Sequence, residues 1–337
     1  MKKIISYIIN TIKEEYKFII VLLLLFIIFE FPLNYYIIIG GGTSDVSSRI
    51  NVEDKYESKG SFNISYVEEL KGTILTYLMS YIIPSWERED ADIYKYNDEE
   101  TIEDIEFRGD LDLLQSNANA TYWAYKLAGK EVKKLNTKIY VITVDSDYKT
   151  SFKVGDQILS MDDKTYDSID EYREYIQTLN EDDYVVIKVL RNNKERIIKS
   201  KLYKYEDRLI VGIGLQILDE YETNPKVNIK FKSSESGPSG GLITTLEIYN
   251  QLTKSDLTKG MKIAGTGTIE EDGSIGEIGG VEYKILGASK DNVDIFLVPD
   301  GDNYKDALKY KKKNNLKIKL ISVKNIEDVI NKLKSLE

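Results

Sequence analysis

The residues whose types and spacing could do chemistry gather around one serine. Ser239 lies in the stretch Ser233-Ser-Glu-Ser-Gly-Pro-Ser-Gly-Gly241, between the alternating run Val227-Asn-Ile-Lys-Phe231 and the apolar run Leu242 to Leu252. The first run reads as a strand and the second as a helix. A serine at a glycine-rich strand-to-helix turn is easily presented as a nucleophile. Gly237 and Gly240 let the backbone approach a substrate closely, and the helix N-terminus offers unpaired N–H groups to an oxyanion. Composition then limits the base. The 337-residue chain has no histidine and no cysteine. A Ser-His-Asp triad, a cysteine nucleophile and a His- or Cys-ligated metal are therefore excluded, and neither a metal nor a cofactor is expected. If Ser239 is a nucleophile, its base must be a lysine or a carboxylate.

Lys284 is the lysine that stands out. It lies in Gly279-Gly-Val-Glu-Tyr-Lys-Ile-Leu-Gly-Ala288, in the first turn of a predicted helix, among the apolar residues Val281, Ile285 and Leu286. An ordinary lysine is charged at neutral pH, so a lysine base needs surroundings that disfavour the ammonium form. Burial and the positive end of a helix both act in that direction.

The elements that must hold these residues are legible as a mixed pattern. From Val227 onward the chain reads strand, helix, strand (Met261 to Ile269), tight turn, return strand (from Ile275), helix (Val281 to Ser289), strand (Ile295 to Val298), helix (Asp306 to Lys313), strand and helix. A helix after most strands indicates a layered α/β domain. Upstream, Ile139 to Val144 is a strand, Ser168 to Leu179 a helix, and Tyr184 to Leu202 a hairpin turning at Arg191-Asn-Asn-Lys194. Leu209 to Ile217 reads as an apolar strand with a glycine bend, bridging into the last domain. Residues 40–130 read as a mixed strand and helix region. It has a strand at Ser61 to Val67, a helix from Lys71 to Ile83 stopping at Pro84, a solvated acidic loop from Glu87 to Asp104, and a helix from Leu111 to Leu127 stopping at Gly129.

Ahead of this, Phe18 to Ile39 is apolar and long enough to cross a hydrocarbon core of about 30 Å as a helix. No small-residue cleavage site follows the apolar run, which favours a retained transmembrane anchor over a cleaved signal peptide. Lys2, Lys3, Lys13 and Lys17 precede it, which places residues 1–17 in the cytoplasm and the remainder outside the cell. The net charge of −10 argues against nucleic acid as a partner.

Two resemblances refine this reading. The run Val154-Gly-Asp-Gln-Ile-Leu, the later helix and the Val-Leu-Arg-Asn-Asn hairpin resemble a PDZ domain, assigned here to residues 131–205. In that fold a peptide adds as a strand beside a helix. The resemblance implies Lys138 to Ile142 as the pairing strand, with Ile139, Tyr140, Val141, Tyr172 and Ile176 facing the peptide. Further on, Gly237-Pro-Ser-Gly-Gly241, Ala264-Gly-Thr-Gly-Thr-Ile269 and Ile278-Gly-Gly-Val-Glu-Tyr-Lys284 occur in the order and near the spacing of Lon-type serine peptidases. That likeness covers about residues 225 to 337, within a domain assigned to residues 206–337. It implies Ser239 as nucleophile, Lys284 as general base and Thr266 as a threonine that hydrogen-bonds the lysine. The chain departs from the family at Gly240, where alanine is usual, and at Glu235-Ser236, where an acidic residue commonly stands nearer the Gly-Pro-Ser.

Taken whole, the sequence is similar to membrane-anchored, PDZ-containing Lon-like peptidases of Gram-positive bacteria. The expected fold class is α+β, with a transmembrane helix, a β-rich PDZ-like domain and an α/β proteolytic domain. The expected function is a cell-surface endopeptidase for peptides or unfolded protein segments. It would be independent of ATP, since no Gly-x-x-x-x-Gly-Lys-Ser/Thr motif occurs. Lon-type domains often form rings, so the resemblance leaves a homo-oligomer open. The competing expectation is a membrane-tethered peptide-binding adaptor or chaperone with an inactive peptidase domain.

Overall fold

A computed structural model describes residues 2–83, 85–232 and 234–336, and side chains from residue 11 onward. Pro84, the expected helix stop, and Ser233, at the head of the glycine-rich stretch, lie outside the described residues. The first elements are α1 (Lys2–Glu30), β1 (Pro32–Asp45), β2 (Ile50–Val52), β3 (Ser61–Thr73), α2 (Ile74–Met79), β4 (Glu87–Asp90) and α3 (Ile102–Ala128). Next come β5 (Glu131–Val144), β6 (Gln157–Met161), α4 (Ile169–Gln177), β7 (Tyr184–Arg191), β8 (Lys194–Lys201), β9 (Tyr203–Tyr205), β10 (Arg208–Ile210), β11 (Ile213–Asn224) and β12 (Val227–Ile229). The last are α5 (Gly241–Leu252), β13 (Lys262–Gly265), α6 (Val281–Lys290), β14 (Ile295–Pro299), α7 (Asp302–Lys313), β15 (Lys319–Val323) and α8 (Ile326–Lys334).

The chain divides into two compact units, Met1–Gly41 with Val67–Tyr94, and Gly42–Tyr66 with Lys95–Glu337. In the first, β1 pairs antiparallel with β4, Tyr36 opposite Glu89, and Arg88 stacks 3.9 Å from the centre of the Tyr81 ring. The expected transmembrane helix is corrected here. The helix ends at Glu30 and the chain continues as a strand from Pro32, so Phe18 to Ile39 is not one helix. The uninterrupted apolar part, Phe18 to Phe29, reaches only about 18 Å at about 1.5 Å per residue, against about 30 Å of hydrocarbon. The preceding turns carry Lys13, Glu14, Glu15 and Lys17. Among the described residues no helix is long and apolar enough to cross a membrane.

The second unit holds two sheets that matter for function. One is five-stranded, in the order β11-β5-β6-β7-β8, with every neighbouring pair antiparallel. Val141, Val185, Ile187 and Val189 point from it into a core closed by Tyr172 and Ile176 of α4. α4 starts where the sequence places it, with the Ser168 side chain accepting from the Glu171 N–H. In the other sheet β3, β13, β14 and β15 lie side by side in parallel. Alternation along the strands splits its residues between two faces. Ile263, Ile295 and Leu297 pack with α3, α5 and α8, whereas Ala264, Phe296 and Val298 pack with α6 and α7. A parallel sheet covered on both faces explains why these strands read as near-continuous apolar runs.

Several boundaries differ from the sequence reading. β3 continues to Thr73 and leaves only Ile74–Met79 helical, capped by a reciprocal pair of bonds between Thr73 and Thr76. The acidic stretch before α3 is not wholly solvated: Glu100 is buried and accepts from both terminal nitrogens of Arg108, at 2.6 and 2.9 Å. The apolar run at 209–217 breaks at Gly212, and β11 pairs with β5 over its whole length. Residues 213–224 thus belong to the sheet of the preceding module. The region 40–130 in turn contributes β3 and α3 to the layers of the last domain. The expected return strand at Ile275 is absent, because the Ile275 N–H bonds the Lys324 carbonyl instead, at 2.9 Å.

Candidate active site

The turn that carries Ser239 is fixed from three sides. Gly237 has φ +81°, a left-handed conformation that glycine adopts without strain, and its N–H donates to the Gly109 carbonyl of α3 at 2.9 Å. Ser116, two turns further along α3, donates from Oγ to the Pro238 carbonyl at 3.0 Å. On the other side the chain just beyond β13 holds Ser239 itself. The Ser239 carbonyl accepts from the Gly267 N–H at 2.8 Å and from Thr266 Oγ1 at 3.3 Å. Thr266 is fully buried and is tied to β14 by its N–H, which donates to the Leu297 carbonyl at 3.1 Å. Gly240 sits in right-handed helical geometry as the residue before α5. A Cβ there would come 2.9 Å from the Cδ1 of Ile64. The departure from alanine at this position therefore accompanies a bulky neighbour on β3.

Lys284 approaches from α6. That helix begins after Gly280, which has φ 66°, and Lys284 completes its first turn by donating its N–H to the Gly280 carbonyl at 3.1 Å. Its side chain is buried, 4 % exposed, and its Nζ lies 3.1 Å from Ser239 Oγ and 3.2 Å from Thr266 Oγ1. Ser65 of β3 donates from Oγ to the Lys284 carbonyl at 2.9 Å. At the far end of α6 the Asp291 carboxylate accepts the N–H and the hydroxyl of Thr43, at 2.6 and 2.8 Å. These bonds hold its carboxyl below the usual carboxylate range. The helix that presents the lysine is thus secured at both ends.

The structure brings Ser239, Thr266 and Lys284 within hydrogen-bonding distance of one another or of one another's backbone, with Gly237 and Gly240 shaping the turn. Among the described residues the N–H groups of Ser239 and Gly240 donate to no other group. No cluster of three or more metal-ligating side chains occurs among the described residues. Sequence reasoning missed Ser65, Ser116 and Arg49, whose guanidinium pairs with Glu235 of the Ser239 loop. One signal was available for Ser65. Asn63 and Ser65 alternate with Phe62 and Ile64, which suggests a wet face, yet both polar residues are buried.

The residues expected to face a peptide in the β-rich module are placed differently. Ile139, Val141, Tyr172 and Ile176 are all buried in its core, and Tyr140 meets Phe107 edge to face with ring centres 5.9 Å apart. β5 cannot accept an added strand, because β11 and β6 flank it. β11 is one of the two edge strands of that sheet, and its Ile213, Leu215 and Ile217 pack against the same core as α4.

Comparison with known proteins accords with this architecture. Residues 128–202 match the family model of the PDZ domain, and residues 228–335 match that of the Lon protease (S16) C-terminal proteolytic domain. The chain therefore carries a PDZ domain ahead of a Lon-type proteolytic domain. Among curated relatives, the Lon protease of Aster yellows witches'-broom phytoplasma is 28% identical over 99 residues, which is 29% of this chain and 12% of that protein. The Lon protease of Trichlorobacter lovleyi is 32% identical over 96 residues, 28% of this chain and 11% of that protein. The matched segment is thus a small part of either relative. Among solved structures, the PDZ domain of an SdrC-like protein from Listeria monocytogenes is 25% identical and covers 23% of this chain and 85% of that one, with a TM-score of 0.22.

Proposed function

We propose that this chain is a serine peptidase of Lon type that hydrolyses flexible or unfolded peptide segments through Ser239 and Lys284. The observation that carries the reading is the buried Lys284 Nζ, 3.1 Å from Ser239 Oγ. Thr266 Oγ1 donates to the Ser239 carbonyl, so its lone pairs are free to accept an N–H of Lys284. That bond turns the lone pair of a neutral amine toward the serine hydroxyl. Lys284 takes the hydroxyl proton as Ser239 Oγ attacks the scissile carbonyl carbon, and an oxyanion develops on the carbonyl oxygen. The N–H groups at the head of α5 are the donors such an oxyanion would meet. Collapse of this intermediate breaks the C–N bond, and Lys284 returns the proton to the leaving amine. Water, deprotonated by the now neutral lysine, then releases the acyl group from Ser239. The PDZ domain would select or deliver the peptide.

Cleavage of unfolded casein by the full chain tests the reading. Ser239→Ala and Lys284→Ala should each abolish turnover while leaving the fold intact by circular dichroism. Cleavage that persists in both variants would sink the dyad. The parent rate should climb with pH between 6 and 9 if the base is a neutral amine, and a flat profile would contradict a lysine base. A parent that binds peptides and cleaves none over this range would favour the adaptor reading.

A further inference from the structure

The loop between β12 and α5 has no regular secondary structure, yet it must hold Ser239 within bonding distance of Lys284. One cationic side chain far away in sequence meets it. Arg49 lies at the turn between β1 and β2, and its guanidinium forms an ion pair from Nη1 to Oε1 of Glu235, four residues before the nucleophile. The other terminal nitrogen, Nη2, donates to Ser44 Oγ at 2.6 Å. The Arg49 backbone carbonyl accepts the Lys230 N–H at 2.9 Å. A single residue therefore grips both the chain leaving β12 and the loop beyond it. Glu235 in turn closes the loop on itself. Its Oε2 accepts the Lys232 N–H at 3.1 Å, and its own N–H donates to the Lys232 carbonyl at 3.0 Å. Both side chains are largely removed from solvent, 15% and 28% exposed, where screening of the pair is weaker than at an open surface. The planar fork of arginine suits this geometry, because its two ends satisfy two partners without further loss of rotamer freedom.

We propose that Arg49 is a positioning residue of the catalytic centre, which acts through Glu235 to hold the Ser239 loop in its attacking conformation. The proposal rests on the peptidase reading but not on the identity of the base. Neither Arg49 nor Glu235 touches Ser239 or Lys284; the effect reaches Ser239 through the chain from Glu235 to Gly237. Removing the pair releases the described part of the loop, residues 234–240, to sample conformations in which Ser239 Oγ is out of reach of Lys284. A fraction of molecules is then competent at any instant, which lowers kcat and leaves the affinity for substrate nearly unchanged.

The test uses the full chain with Arg49→Gln and Glu235→Gln as independent variants, so that failure of one to fold leaves the other informative. Amide hydrogen exchange at Gly237 and Gly241, whose N–H groups donate to the Gly109 and Pro238 carbonyls, is read first, since it needs no catalysis. Both variants should exchange about tenfold faster than the parent at these amides. In casein cleavage both should lose about tenfold in kcat with KM within twofold, and Arg49→Lys should recover part of the loss because it keeps the charge. Raising the salt concentration should slow the parent more than either Gln variant. Parental exchange rates in both variants would overturn the clamp. Faster exchange with parental kcat would overturn its role in positioning Ser239. A parent that fails to cleave would count against the peptidase reading alone, and the exchange data would still decide whether the pair holds the loop.

Discussion

Ser239 and Lys284 meet because backbone groups, as much as side chains, hold them. The serine carbonyl is pinned by Gly267 and Thr266, and the lysine carbonyl by Ser65. Thr266 occupies the middle of this arrangement, since its hydroxyl bonds both partners. Thr266→Val keeps the shape and removes the hydroxyl. A hydrogen bond to a charged or reacting group is worth about 1.5–3 kcal/mol, so kcat should fall about 10- to 100-fold, with KM little changed. Thr266→Ser should restore most of the loss. Equal kcat in the Val and Ser variants, measured on one peptide substrate, would remove Thr266 from the mechanism. Ser239, Thr266 and Lys284 were legible in the sequence because the absence of histidine leaves few bases, and because their motifs recur in order. Arg49 was not legible, since a lone arginine at a turn carries no local pattern, and the alternation around Ser65 pointed to a wet face rather than to a buried contact. Their meaning arises only when β2 and β3 come to lie beside segments about 180 to 220 residues away.

At the scale of elements, α5 shows how the site is supported from beneath. All of its residues from Gly241 to Leu252 are buried, including Glu247. Gln251 donates from Nε2 to Glu247 Oε1 at 2.7 Å and to the Ile50 carbonyl at 2.9 Å. Its Oε1 accepts the Val52 N–H at 2.9 Å, so a polar staple joins α5 to β2. Burial pushes the Glu247 carboxyl up from its usual value of 4.5 to about 6, with a smaller push from the Asp45 charge. Folding therefore favours the protonated acid. That contribution is fully present below pH 4.5 and is lost as pH rises through about 6. Above that point the buried carboxylate costs about 2 kcal/mol relative to the unfolded chain, as an order of magnitude. Glu247→Gln should raise the urea midpoint at pH 8 and leave it nearly unchanged at pH 4. A variant no more stable than the parent at pH 8 would show that the carboxylate is compensated. Of the elements themselves, the long periodic ones were legible, as with α4, α5 and the β7–β8 hairpin. The N-terminal apolar run misled because hydropathy alone cannot say where a helix stops. Here the chain turns into a strand at Pro32, where proline lacks the N–H to continue the ladder of the helix.

The second unit is built with one domain inside another. The proteolytic layers take β3 and α3 from before the PDZ domain and everything from β12 onward from after it. The two ends of the inserted domain lie together, with Glu131 paired opposite Asn224. Just outside them, Tyr125 of α3 donates its hydroxyl to the Pro225 carbonyl at 2.6 Å. Residues 131–224 should therefore be removable with a short Gly-Ser link. The shortened chain should still melt cooperatively and should cleave unfolded casein with a raised KM and a kcat near that of the parent. Loss of cooperative melting would show that α3 depends on its bonds to β11, which run from Gln216 to Asp112 and from the Asp219 N–H to Gln115. This nesting was hidden in the sequence, because each half of a discontinuous domain reads locally as a region of its own.

The pairing of β3 with β13 has a consequence in time as well as in space. Asn63 on the first strand bonds the Ile263 carbonyl on the second, across 200 residues of chain. During synthesis β3, whose other neighbour in the sheet is β1, must wait with its β13 edge unpaired while the ribosome completes the PDZ domain, which can close on its own contacts. Only when the segment bearing Lys284 has emerged can Ser239, Thr266 and Lys284 come together. On the peptidase reading, a nascent chain would be unable to attack itself or its neighbours until the chain through α6 has been made.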